Sequence, residues 1–279
     1  MRAIRVMSFN IWNTGEPQSW EENPRAAWSK RSPLVVDTIR RYNPTLIGFQ
    51  EFSEHHWDTL RDQLPGYAGS LDFRSDEVGN TILYRTDRFD LLDSGVFWLT
   101  HTPDKPTPDW ELPYSLSVQW TMLKELESGL PLLFLNTQYE DGWDPNQILM
   151  RKEGTKIFLN QIDNIAAKQP GVPVILSGDF NCNVWAEPYT LFLENKFIDT
   201  YRAAGHGDSL ASSSYHGYVG EAYSGLEWGD EQCWRVDWIM TRDGAQRLQT
   251  VASTILHDAH PPIYSSDHWP VITDLHMTA

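Results

Sequence analysis

The stretch Val172–Asn183, VPVILSGDFNCN, joins a short apolar run to a polar turn. Val172–Leu176 has the length of a strand and no polar alternation, so it reads as a strand buried on both faces. Gly178–Asn183 then collects Asp and Asn, which favour turns because their side chains bond to nearby backbone. The same hand-over recurs along the chain. Ile4–Phe9 stops at Asn10, and Thr45–Phe49 leads into Gln50 and Glu51. Asp237 sits in the apolar run Val236–Met240, and Asp267 and His268 precede Val271–Leu275.

Further β-type segments cover Thr81–Tyr84, Phe89–Leu99, Ser115–Leu123, Pro131–Thr137 and Thr250–Leu256. Helices are fewer. Ser32–Arg41 sets Leu34, Val35, Thr38 and Ile39 on one side and runs into the turn pair Asn43-Pro44. Glu54–Gln63 forms another, closed by Pro65-Gly66. Asp144-Pro145 supplies an N-cap and a first-position proline for a helix over Asn146–Lys168. Its apolar stripe is expected from Ile148, Leu149, Ile157, Phe158, Ile162 and Ile165. Tyr201–Trp234, rich in Gly, Ser and aromatics, reads as long loops. Many strands with few helices predict two sheets packed together with helices outside. No linker-like composition interrupts the 279 residues, so one domain is expected.

Composition narrows the function. The chain carries 38 acidic and 22 basic residues, a net charge of −16. Non-specific binding to nucleic acid draws on a basic face that neutralises phosphates, so a small substrate in a pocket is favoured over a long polyanion. Two cysteines, Cys182 and Cys233, make no disulfide framework. No run approaches a membrane span, and MRAIRVMSFN enters a strand pattern without a signal-peptide core. The expectation is a cytoplasmic monomer, or a secreted protein read after signal removal. The 13 Trp residues exceed what a core needs, so several are expected on a surface or cleft.

Asp, Glu and Asn oxygens are hard ligands, suited to Mg²⁺, Mn²⁺ or Ca²⁺ rather than zinc. Hydrolysis of a phosphate ester requires neutralised phosphoryl charge, an oriented water and a stabilised leaving oxygen. Scattered carboxylates with an Asn and a His supply those needs. No G-x-S-x-G, P-loop or zinc spacing is present. Singly, each element has a structural explanation: Gln50-Glu51 a surface turn, GDFNCN a tight turn, Ser266-Asp267-His268 a capped loop. Asp237 is harder to explain that way, because a carboxylate inside an apolar strand needs a partner or a cation.

Together, and in this order, SFNIW (Ser8–Trp12), IGFQE (Ile47–Glu51), FLNTQ (Phe134–Gln138), LSGDFN (Leu176–Asn181), RVDWI (Arg235–Ile239) and SSDHWPV (Ser265–Val271) resemble the endonuclease/exonuclease/phosphatase superfamily. Tyr215-His216-Gly217-Tyr218 resembles a short motif of its small bacterial members. The resemblance implies an α/β fold of two stacked mixed β-sheets flanked by helices, a four-layer sandwich. It also implies roles: Glu51, Asn10 and Asp267 at a divalent metal; Asp179 orienting or deprotonating the attacking water; Asn181 holding that water or a phosphoryl oxygen. Asp237 would fix the tautomer of His268, and His268 would contact the phosphate. One position departs, because many relatives carry His where this chain has Gln138, and glutamine transfers no proton. Tyr139, His216 or a metal-bound water are the candidates to replace it.

The implied activity is metal-dependent hydrolysis of a phosphate ester, a monoester or diester of a sugar, polyol or lipid headgroup. Trp12, His216, Tyr139 and Trp143 are the expected substrate contacts, within a wider set of aromatics that includes Trp20, Trp28, Trp185, Trp228 and Trp234. The alternatives are a nuclease with a local basic groove drawn from Arg25, Lys30, Arg31 or Lys105, and a non-catalytic carbohydrate-binding relative.

Overall fold

Alternation along four strands decides where the polar ends point. In β1 (Ile4–Asn10), Ile4 and Val6 belong to the apolar layer between two sheets, whereas Met7 and Phe9 pack outward. A period of two therefore carries Ser8 and Asn10 onto the inter-sheet face. The same parity in β7 (Pro131–Gln138) follows Leu132 and Phe134 with Asn136 and Gln138. In β8 (Val174–Asp179) it follows Ile175 with Ser177 and Asp179. In β10 (Asp237–Arg242) it places Asp237 beside Ile239. The space between the sheets is thus oily in its interior and polar towards one rim.

The structure, a computed structural model, describes residues 3–13, 27–71, 79–225 and 235–278. One six-stranded sheet runs in the order β11 (Leu248–Ile255), β12 (Val271–Met277), β1, β2 (Leu46–Phe52), β4 (Gly79–Arg85), β3 (Tyr67–Ser70); the other runs β5 (Phe89–Trp98), β6 (Ser117–Glu125), β7, β8, β10, β9 (Ile198–Asp199). Each is mixed: β1 pairs β2 in parallel and β7 pairs β8 in parallel, while the remaining pairings are antiparallel. α1 (Trp28–Tyr42) and α2 (Glu54–Leu60) cover the first sheet through Val35, Ile39 and Leu60 against Met7, Phe9 and Phe49. α3 (Pro145–Ala166) and α4 (Glu187–Glu194) cover the second through Phe158, Ile162 and Phe192 against Leu176 and Trp238. The four layers are those expected.

Local signals held at the helix ends. Asn43 closes α1 in the left-handed region, and the Asp144 side chain accepts from the backbone of Asn146 and Gln147 to start α3. The expected α3 stripe fails in its first turn. Ile148 and Leu149 are 48% and 45% exposed, and the buried face runs through Met150, Gly154, Phe158, Ile162 and Ile165. The first turn lies beside the loop after β8, where Ile148 lines a cleft. β3 (Tyr67–Ser70), α4, the two-residue β9 (Ile198–Asp199) and α5 (Thr200–Ala203) had no strong sequence signal. The loop expected over 201–234 holds the end of α5 and two single 3-10 turns at Leu210–Ser212 and Gly220–Ala222. Residues 226–234 of it lie outside the described residues.

A buried polar brace ties the two sheets below the rim. Gln50 donates to Ser8 Oγ (3.2 Å) and Asn136 Oδ1 (2.6 Å); Asn136 donates to the Phe49 carbonyl (2.6 Å), and Ser177 Oγ donates to Asn136 Oδ1 (3.0 Å). Gly48 permits this approach, since a Cβ there would sit 2.2 Å from Ser177 Oγ and 2.4 Å from Asn136 Oδ1.

Candidate active site

The strand ends converge on one cavity of about 230 Å³, into which Trp12, Glu51, Gln138, Asp179, Asn181, Asp267 and His268 project. Asp179 is its hub. Its Oδ2 accepts from Asn10 Nδ2 at 3.0 Å and weakly from Gln138 Nε2 at 3.5 Å, and its Oδ1 accepts the backbone N–H of Asn181 at 3.0 Å. Asn10 thereby reaches from the first sheet to the second.

Glu51 enters from the other side. The β2–β4 register shifts between Phe49 and Phe52, a bulge that aims Glu51 into the cavity with φ of 56°. Its Oε1 accepts from Asn10 (3.0 Å) and Gln138 (2.8 Å), and its Oε2 accepts the Asn13 N–H (2.8 Å). Trp12 and Asn181 also hold positive φ, 53° and 46°. Three non-glycine residues in this sparsely populated region meet in one cavity, which is the kind of strain that persists where function requires it.

His268 stands over Asp179. Its Nδ1 is 2.9 Å from Asp237 Oδ2, and its Nε2 is 3.9 Å from Asp179 Oδ2, an ion-pair distance too long for a hydrogen bond. One ligand-type atom from each of Asp179, Asp237 and His268 lies within 4.8 Å of the other two. Ser214 anchors the group: its hydroxyl accepts the N–H of Val236 and of Asp237, both at 3.0 Å, and its carbonyl accepts from Trp269.

Burial dominates the electrostatics. It raises Asp179 to about 7, helped by Asp237 and opposed by His268, and raises Asp267 to about 6, helped by Glu51. Burial alone would lower His268; Asp237 and then Asp179 outweigh it and hold the imidazole well above its usual value, hence charged.

Arg31, considered for a basic groove, is fully buried. It donates to the carbonyls of Ile11 (2.8 Å), Ser265 (2.7 Å) and Trp12 (3.0 Å), joining the loop of Trp12 to that of Asp267, with its guanidinium 5.5 Å from the Trp12 ring. Two expected substrate contacts are corrected. The Tyr139 hydroxyl bonds Thr155 Oγ1 at 2.8 Å and its ring packs on Phe180, so only its main chain serves the site, its carbonyl accepting from Asn181 Nδ2 at 2.8 Å. His216 is buried, stacked on Trp269 at 3.9 Å, and accepts the Gly220 N–H at Nδ1; burial lowers it to about 3. Neither lines the cavity. Trp12 and Trp143 do line it, Trp28 is core, and Trp20, Trp228, Trp234, Arg25 and Cys233 lie outside the described residues. Lys30 and Lys105 are exposed and do not line it. Arg31, Ser214, Gln50 and Asn136 escaped the sequence reading as support for the site, because their partners lie tens to hundreds of positions away.

A model of the Endonuclease/Exonuclease/phosphatase family matches residues 7–268. An endonuclease/exonuclease/phosphatase family protein from Bacteroides thetaiotaomicron superposes with a TM-score of 0.84 at 22% identity, over 99% of this chain and 95% of its own. A mannosyl-6-phosphatase of the same organism gives 0.83 at 22% identity, over 98% and 99%. At such identity these likenesses establish the fold alone. Carbon catabolite repressor protein 4 homolog 3 of Arabidopsis thaliana is 23% identical over 189 residues, which span 65% of this chain but only 40% of that relative. Among the described residues no helix is long and apolar enough to cross a membrane.

Proposed function

Because the chain belongs to the endonuclease/exonuclease/phosphatase family of phosphoester hydrolases, we propose that it hydrolyses the phosphate ester of a small organic molecule with a divalent cation bound. The observation that carries this reading is the meeting of Asp179, Asn10, Glu51, Gln138 and His268 in one strained cavity.

The donor set fits a hard cation. Four carboxylates line the cavity, the exposed Asp141 with Glu51, Asp179 and Asp267, against one imidazole, an excess of negative charge that is costly where it is buried without compensation. A carboxylate offers about four lone-pair sites, and among the described residues Glu51 uses three, so Oε2 keeps one. Among the described residues Asn10 Oδ1 accepts only the Trp12 N–H at 2.9 Å, leaving another. Glu51, Asn10 and Asp267 would hold Mg²⁺, Mn²⁺ or Ca²⁺. When bound, such a cation neutralises phosphoryl charge.

The chain's own groups supply the rest. Asp179, raised towards neutrality, is matched to accept a proton from the attacking water. Asn181 has its amide nitrogen committed to the Tyr139 carbonyl, so it offers oxygen to the cavity; that suits it to hold the water through the water's hydrogens rather than a phosphoryl oxygen. His268, charged and oriented by Asp237, presents Nε2–H to a phosphoryl oxygen. Gln138 has no proton to transfer, and Tyr139 and His216 are withdrawn into the core; a water would then protonate the leaving oxygen, and the proton taken up by Asp179 would return to the hydroxide left behind. No Lys or Arg is among the described residues lining the cavity, which supports a small ester over a nucleic acid.

Turnover of bis-p-nitrophenyl phosphate and p-nitrophenyl phosphate by the wild type and Asp179→Ala tests the reading. Hydrolysis of either ester, reduced about 10³-fold in the variant, supports it. Equal turnover by both proteins would contradict it.

A further inference from the structure

Beside the catalytic cavity lies a second cleft of about 260 Å³, and Trp143, Cys182 and Asn183 line both. Its walls are three apolar side chains that the fold leaves in solvent: Trp143 at 38%, Trp185 at 51% and Ile148 at 48% exposure. Each has a backbone cause. Trp185 rides a turn closed by the Ala186 N–H on the Asn183 carbonyl (2.9 Å), immediately before α4. Ile148 occupies the first turn of α3, opposite that loop. Trp143 is held by Arg151, whose guanidinium lies 5.4 Å from its ring and donates to the Glu140 and Gly142 carbonyls. Scattered apolar residues on a surface need no explanation, but three converging beside a catalytic cavity do.

We infer that this cleft is the subsite for the sugar ring of a sugar phosphate, seated so that the phosphate reaches Asp179 and His268; the inference rests on the phosphoesterase reading. Three features choose the occupant. First, the cleft shares Trp143, Cys182 and Asn183 with the catalytic cavity, so it lies within reach of a group attached to the reacting phosphate. Second, its charges are engaged: Lys152 pairs with Glu187 at 2.8 Å and Arg151 is turned to backbone carbonyls, so among the described residues lining it no unpaired cation faces a second phosphate. The guanidinium against Trp143 also repels a cationic headgroup from that ring. Third, the walls join indole surface to a polar rim of Lys152, Glu187 and Asn183. A pyranose has the matching character, with C–H groups on its face and hydroxyls around its edge.

The test compares wild type and Trp185→Ala on glucose, mannose and galactose 6-phosphates, with glycerol 3-phosphate as the ringless ester and adenosine 5′-monophosphate as the aromatic one. The inference expects kcat/KM for at least one hexose phosphate to exceed that for glycerol 3-phosphate. It also expects Trp185→Ala to lower that ratio about tenfold through KM, the size of one good aromatic contact. A ratio unchanged by the substitution overturns it, as does a wild-type preference for the nucleotide. A readout independent of turnover is binding of methyl α-mannoside and methyl α-glucoside to Asp179→Asn, followed by saturation-transfer NMR. Saturation transfer that Trp185→Ala abolishes supports the subsite, and none with either glycoside overturns it. Loss of p-nitrophenyl ester hydrolysis by the wild type would instead count against the phosphoesterase reading itself.

Discussion

Asp179 and Asp237 are direct partners across the antiparallel β8–β10 ladder, and His268 bridges them, 2.9 Å from Asp237 and 3.9 Å from Asp179. Like charges placed opposite in a sheet repel, and the charged imidazole between them offsets part of that cost. Asp237→Asn keeps the shape but removes the charge that orients and protonates His268. The expected result is a fall in kcat of roughly 10²–10⁴ on p-nitrophenyl esters with little change in KM. An equal effect on both constants would mark Asp237 as structural support only.

Burial of Asp179, with a smaller contribution from Asp237, costs the folded protein stability at high pH. A carboxylate whose folded pKa is raised, as at Asp179, favours folding at low pH, and this advantage is lost as pH rises through about 7. Asp179→Asn should therefore raise the Tm by several degrees at pH 8 in EDTA while abolishing activity, a trade between stability and function. Calorimetry of both proteins checks it, and a lower Tm for the variant would show that its hydrogen bonds outweigh the relieved charge.

Between the sheets, tolerance for a methyl group is the question. Gly48→Ala drives a Cβ into Ser177 and Asn136, neither of which can move without breaking the brace that Gln50 completes. A loss of about 1–3 kcal/mol or more is expected in denaturant melts, against under 1 kcal/mol for Gly244→Ala, whose Cβ meets nothing.

His56 makes an acid-sensitive cap. Its Nδ1 accepts the Ser53 N–H at 3.0 Å at the start of α2, and burial lowers its pKa to about 3. Its folded pKa is depressed, so the stability it contributes is present above the unfolded value of about 6.5 and is lost as pH falls towards 3. Between pH 8 and pH 5 this amounts to about 2 kcal/mol. His56→Asn, which can place a side-chain oxygen near the same N–H, should lower stability at pH 8 yet flatten the pH dependence. An unchanged slope would remove His56 as its source.

How much was legible follows from range. Asn10, Glu51, Asp179, Asp237 and His268 could be read because each lies at or near a strand end; parity carries Asn10, Asp179 and Asp237 to one rim, the β2 bulge turns Glu51 to it, and His268 reaches it from the loop before Val271. Tyr139 and His216 misled because a polar aromatic beside a motif looks available, whereas one packs on Phe180 and the other on Trp269. Ile148 misled because its helical phase matches the buried face, although the first turn of α3 stands beside the loop after β8 rather than over a strand. Arg31 left no trace as a support, since its acceptors are carbonyls of Ile11, Trp12 and Ser265, and carbonyls carry no sequence signature.

The central claim is that Asp179 and Glu51 serve phosphoester hydrolysis with a divalent cation bound. Its most direct measurement is the initial rate of bis-p-nitrophenyl phosphate hydrolysis in Mg²⁺ or Mn²⁺, in EDTA, and after the metal is restored. Turnover that EDTA abolishes, the metal restores and Glu51→Gln fails to recover at the same metal concentration is the predicted result. Turnover that persists in EDTA, or that Glu51→Gln supports as well as the wild type, would contradict it.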